Sequence, residues 1–511
     1  MGTNSESVDV LVVGGGINGA GIARDAAGRG LKVALVEQSD LGGATSSSST
    51  KLIHGGLRYL ESFAFRLVRE SLLERERLLA IAPHIVRPME FLLPHAKGLR
   101  PRWQIALGLL LYDRMGARHR LAPSRALRLA QTGHGESLVE GISHAFSYSD
   151  CTVDDSRLVV LNAMDAARLG ASIHARTRFV SAQRAQARWK AICVEERTGQ
   201  TVTIDARAIV NAAGPWMNGV DRCLLPIHAE SQIRLVKGSH IVVPRLYRGE
   251  HAFLLQHTDG RVVFAIPYEN DFTLIGTTEV PYTADPEDAK ISTAEVDYLC
   301  AAVNRYFRTA ITPSMVKWGF AGVRPLVDDA SADASKVTRD YRLDLKSAEP
   351  VLLSVLGGKL TTYRKLAEKV GSMLRAHLGG SRQDWTARVA LPGGDLPKAD
   401  FSAFLADAKQ RWRFLPDPLA TRLARTYGTR MEAILDRAKD VHALGEDLGA
   451  GLTEAELQYL VRYEWACTAE DVLWRRTKLG LRVTDRERAK IEKSLDLLLG
   501  QPDQAPTQSA K

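Results

Sequence analysis

Three glycines at a fixed spacing give the strongest indication of chemistry in this 511-residue chain. Gly14, Gly16 and Gly19 form a G-x-G-x-x-G pattern between an apolar, β-branched run and a helical pattern. In such a turn the first glycine permits the tight bend, the second lets a pyrophosphate approach the backbone, and the third lets the helix pack on the strand. Glu37 follows a second strand pattern, about 20 residues further on, where a carboxylate can bind a ribose hydroxyl. The spacing predicts a dinucleotide site rather than a bare βαβ unit.

Three further turns of small residues could bring a cofactor close to the backbone. The segment 42–59, GGATSSSSTKLIHGGLRY, is interpreted as a loop beneath a cofactor, because a flexible linker would be a poor place for its apolar residues. A strand pattern ends at the turn 211–216, NAAGPW. Another ends at Gly357-Gly358, so that Lys359 stands where a flavin or phosphate would meet a helix N-terminus. This turn is not a P-loop, since G-x-x-x-x-G-K is absent.

The elements that must position these turns follow an α/β pattern. Strand patterns lie at 8–13, 32–36, 172–180, 191–196 and 206–210, and helix patterns at 20–29, 61–82 and 154–169. From 232 to 277 the pattern changes to short β segments, among them 232–237 and 240–243, which predicts an inserted antiparallel sheet. Beyond residue 395 the sequence is helical and nearly free of strand patterns, and we expect a disordered tail over 501–511.

Composition and charge narrow the class of protein. With 45% hydrophobic and 25% charged residues, the chain has an ordinary globular composition and is long enough for more than one core. The net charge of +9 suits an anionic partner, and equally a basic solvated surface. The five scattered cysteines lack C-x-x-C spacing, which predicts a reducing compartment with neither a disulfide framework nor a metal site. The polar N-terminus and the absence of a run of about 18 apolar residues predict neither a signal peptide nor a transmembrane helix.

Residues 100–121 combine an apolar centre with arginines at both ends. About ten apolar residues cannot span a bilayer, but they can lie in its interface. The apolar residues are Trp103, Ile105, Leu107, Leu109, Leu110, Leu111 and Tyr112, and the arginines are Arg100, Arg102, Arg114, Arg118 and Arg120. We expect either an in-plane amphipathic helix on an anionic membrane surface or a buried helix whose arginines extend to solvent.

Over nearly its full length the chain resembles the FAD-dependent glycerol-3-phosphate dehydrogenases of the quinone-reducing, aerobic bacterial type. Each matching stretch is weak evidence alone, but the combination is highly specific. The stretches are GGGINGAGIARDAAGRG, SSSSTKLIHGGLRYLE, KGSHIVVPR at 237–245, GVRPL at 322–326, TRDY at 338–341, GGKLTTYRKLA at 357–367 and VRYEWACTAEDVLWRRTKLGL at 461–481.

The resemblance implies an α/β fold with a Rossmann-type FAD-binding domain, an inserted antiparallel β-sheet substrate domain as in D-amino-acid oxidases, and a helical C-terminal domain. The implied core is 1–390 and the helical domain is 391–500. The expected FAD-binding segments are about 8–85, 145–228 and 320–385, and the expected substrate-domain segments are about 86–144 and 229–319. The resemblance also implies a peripheral protein on the cytoplasmic face of the inner membrane, with a homodimer as one option.

The implied reaction is oxidation of sn-glycerol 3-phosphate to dihydroxyacetone phosphate by hydride transfer to non-covalent FAD, with electrons passed to ubiquinone or menaquinone. Such a reaction needs a hydride acceptor held over the C–H bond, a base for the hydroxyl proton and an anchor for the phosphate. Forked guanidiniums hold a phosphate dianion well, and Arg58, Arg324 and Arg339 all lie in the matching stretches. We therefore expect these three arginines to bind substrate.

Three further side chains in the matching stretches suit the oxidation step. Lys359 can stabilise a forming alkoxide and Tyr59 can position a substrate oxygen. His240 has an unperturbed pKa suited to proton transfer, so either it is the base or Arg324 and Lys359 stabilise the alkoxide without it. The residues expected to contact FAD are Gly14, Gly16, Asn18, Gly19, Glu37, Ser47, Ser48, Lys51, Leu52, His54, Ala213, Gly214, Gly358, Lys359, Leu360 and Thr361.

Three other functions stay open. An O2-dependent glycerophosphate oxidase has the same core and differs in its electron acceptor. An amino-acid or amine dehydrogenase of the same fold would need anchors for a carboxylate and an amine. A nucleic-acid-binding flavoprotein fits the basic charge, but the sequence lacks basic residues interleaved with aromatics over a long run, so we expect no nucleic-acid partner.

Overall fold

The computed structural model describes residues 4–61, 63–96, 100–116, 120–225, 233–257, 259–328, 340–380, 383–436 and 438–500. Three sequence predictions lie outside these ranges. They are the roles of Arg118 and Arg339 and the disordered tail over 501–511.

Most strands of the described chain lie where apolar patterns predict them, and the segments predicted at 232–237 and 240–243 form one strand. In chain order the strands are β1 (Asn4–Val13), β2 (Val33–Val36), β3 (Leu52–Ile53), β4 (Val86–Pro94), β5 (Arg125–Arg128), β6 (His144–Val153), β7 (Ser172–His174), β8 (Thr177–Ala185), β9 (Arg188–Glu195), β10 (Thr201–Asn211), β11 (Leu224–Leu225), β12 (Ile233–Pro244), β13 (Ala252–Gln256), β14 (Val262–Tyr268), β15 (Phe272–Gly276), β16 (Val280–Pro281), β17 (Trp318–Val327), β18 (Arg342–Lys346), β19 (Val351–Leu356), β20 (Asp447–Gly449) and β21 (Leu452–Thr453).

The helices begin and end at recognisable local signals. The N-cap Asp154 accepts a hydrogen bond from the Arg157 amide at the start of α4, and Ser292 and Glu295 form a capping box at α6. The helices are α1 (Ile17–Gly28), α2 (Phe65–Ile81), α3 (Arg102–Met115), α4 (Asp155–Arg168), α5 (Met217–Arg222), α6 (Thr293–Asn304), α7 (Tyr363–Leu378), α8 (Phe401–Arg411), α9 (Asp417–Tyr427), α10 (Met431–Leu435), α11 (Glu454–Glu464) and α12 (Asp485–Leu499). Within the described ranges, none is long and apolar enough to cross a membrane.

The first sheet brings the small-residue turns together. Its strand order is β11-β8-β9-β10-β1-β2-β7, with β19 beside β10 and β18 beside β19. Strands β2, β1, β10 and β19 are neighbours and run parallel, so Val13 pairs with Val36 on one side and with Asn211 on the other. Because the carboxyl ends of parallel strands meet at one edge, the turns that follow these four strands converge at that edge.

The second sheet corrects two expected domain boundaries. Its order is β16-β12-β15-β14-β13-β4-β6-β3, with β17 beside β12 and β5 beside β6. Strand β6 pairs with β4 along its whole length, and β17 pairs with β12. The FAD-binding segments expected at 145–228 and 320–385 therefore begin too early, because 144–153 and 318–327 complete the second sheet. Local patterns could not show this, since strand partnership depends on distant residues.

The C-terminal part of the chain is helical, with a short hairpin, β20–β21, and a π-helical turn at Asp471–Arg476. The sequence predicts a region nearly free of strands, and this short hairpin is a small departure from that prediction. Apolar side chains of α9, α10 and α11 belong to the same continuous core as those of α1 and α4. The helical region is therefore packed against the helices that support the first sheet.

Helix α1, which packs against α4 and α7, is fixed in place by a buried ion pair. The Nε atom of Arg24 lies 2.7 Å from Oδ2 of Asp165 on α4, and both side chains are buried. The Nη2 atom of Arg24 donates to the Val389 carbonyl at 3.0 Å. Because a buried charge is stable only when it is paired, Arg24 constrains how α1 sits on its neighbours.

Arg24→Met should lower the free energy of unfolding by about 3 kcal/mol, because Oδ2 of the buried Asp165 carboxylate loses its partner and Arg168 pairs only with Oδ1. The measurement is urea unfolding followed by circular dichroism. Arg178→Met is the matched control, because Arg178 pairs with Glu196 at 2.6 Å but both are largely exposed. Equal losses in the two variants would contradict the role given to Arg24.

Candidate functional site

A cavity of about 1000 Å3 lies along the carboxyl edge of the parallel strands and is lined by residues of both sheets. One end is formed by the small-residue turns and Glu37, the end predicted to bind a dinucleotide. The other end carries charged residues that include Arg58 and Arg324. The expected FAD-contact residues that line the cavity are Gly14, Gly16, Asn18, Glu37, Ser48, Leu52, His54, Ala213, Gly214, Gly358, Lys359, Leu360 and Thr361. Contact with the cofactor itself stays a prediction for each of them.

Glycine is required at two positions of the dinucleotide end, because neighbouring backbone atoms lie too close for a Cβ atom. Gly14 has φ +109°, and a Cβ there would lie 2.6 Å from the Ala212 carbonyl oxygen, just after the neighbouring strand β10. A Cβ on Gly19 would lie 1.8 Å from the Gly14 carbonyl oxygen. Gly19 does not line the cavity, so its expected cofactor contact is replaced by a supporting role beneath the turn. The glycine arrangement fits a pyrophosphate held against bare backbone.

Glu37 is held in place at the end of β2. Its Oε2 accepts a hydrogen bond from the Gly15 amide at 2.6 Å, and its Oε1 accepts one from the Ser39 amide at 2.8 Å. Burial raises the pKa of Glu37, and these donors partly oppose that rise. The carboxyl group therefore faces the cavity in a fixed orientation, as a ribose-binding acceptor requires.

The serine-rich loop after β2 is anchored by Asp155 at the start of α4. The Lys51 ammonium lies 2.9 Å from Oδ1 of Asp155, and Ser49 Oγ donates to Oδ2 at 2.7 Å. The Lys51 ammonium also donates to the Ser47 carbonyl at 2.9 Å. Lys51 and Ser47 do not line the cavity, so the structure does not support their expected contact with FAD, which stays a prediction. They hold the loop in shape, while Ser46 and Ser48 present their side of it to the cavity.

The same loop is also attached to the C-terminal helices. The carboxylate of Asp40 receives two hydrogen bonds from Arg476, at 2.7 and 2.8 Å, and one from Arg475 at 2.6 Å. Both arginines belong to the π-helical turn Asp471–Arg476. Bidentate pairing of a buried guanidinium and carboxylate fixes geometry as well as charge. The helical region therefore helps to position the cavity wall.

Four of the predicted substrate residues meet at the charged end of the cavity. Arg58 and Tyr59 lie on the short helical turn Leu57–Leu60, Arg324 lies on β17, and Lys359 follows β19. The Lys359 ammonium is 3.8 Å from the centre of the Tyr59 ring. Arg324 Nη2 donates to Thr277 Oγ1 at 3.0 Å. Their convergence on one cavity agrees with the predicted anion site.

Two acidic residues and one arginine at this end were missed by the sequence analysis. Glu279 lies between Arg58 and Arg324, with its oxygens 3.8 and 3.6 Å from their guanidinium nitrogens. Arg261 also lines the cavity and pairs with Asp259 at 2.6 Å. A carboxylate directly after a strand, in the sequence GTTEV, was the available signal for Glu279, but its partners are distant in the chain.

His240 does not line the cavity, and its assignment as the base stays a prediction. Its Nε2 is 3.0 Å from Thr50 Oγ1, and Thr50 separates it from the cavity. Its ring stacks on Phe320 with the ring centres 4.9 Å apart. Burial lowers the pKa of His240 well below its usual range, and Arg324 and Lys51 add to this effect. His240 is a neutral packing residue behind the site.

His54 is the histidine that reaches the cavity. It lies just after β3, close to Lys359, and its backbone carbonyl accepts a hydrogen bond from Thr361 Oγ1 at 3.4 Å. Burial lowers the pKa of His54 to about 4, and Asp150 partly opposes that fall. The imidazole is therefore neutral near pH 7.

Helix α3 is two-faced rather than wholly buried or wholly exposed. Ile105, Leu109 and Tyr112 pack in the core, and the Tyr112 hydroxyl accepts a hydrogen bond from the Gly55 amide at 2.8 Å. Its other apolar side chains are exposed, namely Trp103, Leu107, Leu110 and Leu111, by 69%, 49%, 45% and 42%. The buried-helix alternative is therefore correct for one face only, and membrane docking of the exposed face stays a prediction. The exposed face lies on a helix that contacts the cavity wall.

Comparison with known proteins gives matches along nearly the whole chain. A family described as FAD dependent oxidoreductase (DAO) matches residues 9–364, and one described as the C-terminal domain of alpha-glycerophosphate oxidase matches 385–501. A glycerol-3-phosphate dehydrogenase of Pseudomonas aeruginosa is 51% identical over 489 residues, 95% of this chain and 94% of that protein.

Two other matches bear on substrate and fold. A D-erythritol 1-phosphate dehydrogenase of Brucella abortus is 47% identical over 492 residues, 96% of this chain and 98% of that protein. A structure of the glycerol-3-phosphate dehydrogenase from Bacillus halodurans, complexed with FAD, is 28% identical with a TM-score of 0.74. That match covers 96% of this chain and 94% of the other.

Gly19→Ala should lower the amount of bound FAD at least tenfold, because the added methyl group would collide with the Gly14 carbonyl and displace the turn. The measurement is flavin absorbance per protein after purification, with release on denaturation. Gly219→Ala is the matched control, because nothing lies within 4 Å of a Cβ there and alanine favours helix α5. Full FAD content in Gly19→Ala would show that the turn does not support the cofactor.

Proposed function

The chain belongs to the FAD dependent oxidoreductase family, as its sequence predicts, and on that premise we propose that it oxidises sn-glycerol 3-phosphate to dihydroxyacetone phosphate. The observation that carries the proposal is the meeting of Arg58, Arg324 and Lys359 in the same cavity as the dinucleotide edge. The 51% identity to a glycerol-3-phosphate dehydrogenase over nearly the full chain supports the same substrate.

The cofactor is FAD, and the residues of this chain fit it. The cavity volume of about 1000 Å3 suits a large dinucleotide together with a small substrate. Gly14 and Gly16 leave backbone open to a pyrophosphate, and Glu37, at the end of the neighbouring strand β2, supplies a fixed acceptor for a ribose hydroxyl. When bound, FAD supplies the hydride acceptor for the oxidation.

The charged end of the cavity is suited to hold the phosphate. Arg58 and Arg324 come from different elements and approach the same space, so two guanidiniums can grip one dianion from two sides. The Lys359 ammonium, over the Tyr59 ring, can stabilise negative charge that forms on the substrate hydroxyl oxygen. Positioning by these charges holds the carbon that loses hydride in a fixed place.

We assign proton acceptance to His54 in place of His240. His54 lines the cavity near Lys359 and is neutral because burial lowers the pKa of its ring. From this position a neutral imidazole can accept a hydrogen bond from the substrate hydroxyl and then its proton, and the Lys359 charge can stabilise the alkoxide that forms. His240 cannot do so directly, because Thr50 stands between it and the cavity.

We further propose that a membrane quinone, ubiquinone or menaquinone, accepts the electrons at the cytoplasmic face of the inner membrane. The exposed apolar residues of α3, with Phe63 exposed by 77% and Phe65 by 44%, form a surface beside the turn that carries Arg58 and Tyr59. Arg102 and Arg114 are exposed on the same helix and could meet anionic head groups. Oxygen uptake by the purified protein separates this acceptor from the oxidase alternative.

Glycerol 3-phosphate should bleach the bound flavin anaerobically, without reduction of NAD or NADP. Arg324→Ala and Lys359→Ala should slow this bleaching on the order of tenfold to a hundredfold, because each removes a positive charge that can stabilise the alkoxide forming on the substrate. Arg58→Ala should chiefly raise the substrate concentration required. Stopped-flow absorbance measures the rates, and flavin content should stay near that of the unaltered protein.

Two comparisons sharpen this test. Arg178→Ala is the matched control, because it removes an exposed arginine that pairs with Glu196 and does not itself line the cavity. D-erythritol 1-phosphate, the longer substrate named for the Brucella relative, should bleach the flavin more slowly than glycerol 3-phosphate. Faster bleaching by the longer compound would reassign the substrate, and unchanged rates in all three cavity variants would refute the site.

Trp103→Asp and Leu110→Asp should release the protein from vesicles that contain anionic lipid, because they place charges on the exposed apolar face of α3. Sedimentation with vesicles measures binding, and dye-linked activity should persist. Leu497→Asp on α12 is the control, since Leu497 is 63% exposed and lies on the C-terminal helices. Continued sedimentation of both α3 variants would place any docking surface elsewhere.

A further inference from the structure

Glu279 is placed where the predicted phosphate site would be expected to carry only positive charge. It lies shortly after β15 and lines the cavity. One carboxylate oxygen is 3.8 Å from Arg58 Nη1 and the other is 3.6 Å from Arg324 Nη1. The Glu279 side chain is 11% exposed, whereas those of Arg58 and Arg324 are 32% and 24% exposed. The carboxylate therefore lies deeper than the two guanidiniums that it bridges.

The charges at this end of the cavity are balanced for a dianion. Among the described residues there, Arg58, Arg324 and Lys359 are positive and Glu279 is negative, which leaves a net charge of +2. Arg261 does not add to this sum, because Asp259 pairs with it at 2.6 Å. A phosphate monoester carries nearly two negative charges at neutral pH. Without Glu279, the same site would hold a net charge of +3.

Substrate and product of the proposed reaction carry the same phosphate group. An interaction with that phosphate stabilises substrate, transition state and product equally, so additional positive charge would lower the substrate concentration required without speeding the oxidation. It would also slow the departure of product. A carboxylate that competes for the same guanidiniums offsets this excess attraction, and it prevents two neighbouring arginines from repelling each other when no substrate is bound.

Resting on the proposed function, we propose that Glu279 is a positioning residue that acts as a resident counter-charge for Arg58 and Arg324. It holds the two guanidiniums at the phosphate site in the free enzyme, and it limits how tightly the site binds a phosphate anion. Both of its oxygens face guanidinium nitrogens, which distinguishes this role from that of a base facing the substrate hydroxyl.

The test is binding of inorganic phosphate to the FAD-loaded protein, measured by isothermal titration calorimetry. Glu279→Gln and Glu279→Ala should both bind phosphate on the order of threefold to tenfold more tightly, because each removes the competing charge. Glu279→Asp, which retains the charge, should stay within about twofold of the unaltered protein. Glu61→Gln is the matched control, because Glu61 also lines the cavity but pairs with Arg100 at 2.7 Å. The phosphate affinity of Glu61→Gln should equal that of the unaltered protein.

The kinetic result should follow the binding result. In Glu279→Gln, the KM for glycerol 3-phosphate and the inhibition constant of inorganic phosphate should fall by the same factor. Unchanged or weaker phosphate binding in both neutral variants, with FAD content intact, would overturn the proposal. The proposal would also be overturned if Glu279→Gln lost most of its flavin-reduction rate at saturating substrate while its phosphate affinity stayed unchanged. That result would indicate that Glu279 acts as a base. The phosphate titration requires no turnover. It therefore tests the role of Glu279 even if glycerol 3-phosphate does not reduce the flavin.

Discussion

The cavity depends on two buried carboxylates that fix a loop of small residues. The loop after β2 has a sequence of glycine, serine and threonine that has little preference for one conformation. Asp155 holds its far end through Lys51 and Ser49, and Asp40 holds its near end through Arg475 and Arg476. Because each carboxylate is buried, losing its partner would leave an unpaired charge inside the protein. The loop is therefore ordered by its anchors rather than by its own sequence.

Because of this arrangement, both sheets and the C-terminal helices all contribute to the structure of one site. The first sheet supplies the edge where glycine turns approach a dinucleotide, and the second sheet supplies Arg324 on β17. The C-terminal helices, which contribute no residue to the cavity lining in the described chain, act through Asp40 on the loop that covers it. The helical region can thus affect cofactor binding without touching the cofactor.

The sequence predicted the features that depend on local residues. The fold class, the family and FAD are confirmed, because glycine spacing, strand patterns and short motifs are all local in the chain. The contacts of His240 and Lys51 could not be predicted, because orientation depends on sheet register and burial: His240 points at Thr50 and Phe320, and Lys51 points at Asp155. Glu279 was missed because its partners are distant in the chain. The two faces of α3 were likewise set by what packs against it.

The measurement that tests this account most directly is a crystal structure of the FAD-loaded protein with glycerol 3-phosphate bound to the reduced enzyme. The account predicts the phosphate within hydrogen-bond distance of Arg58 and Arg324, and the C2 hydroxyl between Lys359 and His54. The C2 carbon should face the flavin ring. A phosphate bound outside this cavity, or within it but away from both arginines, would contradict the account.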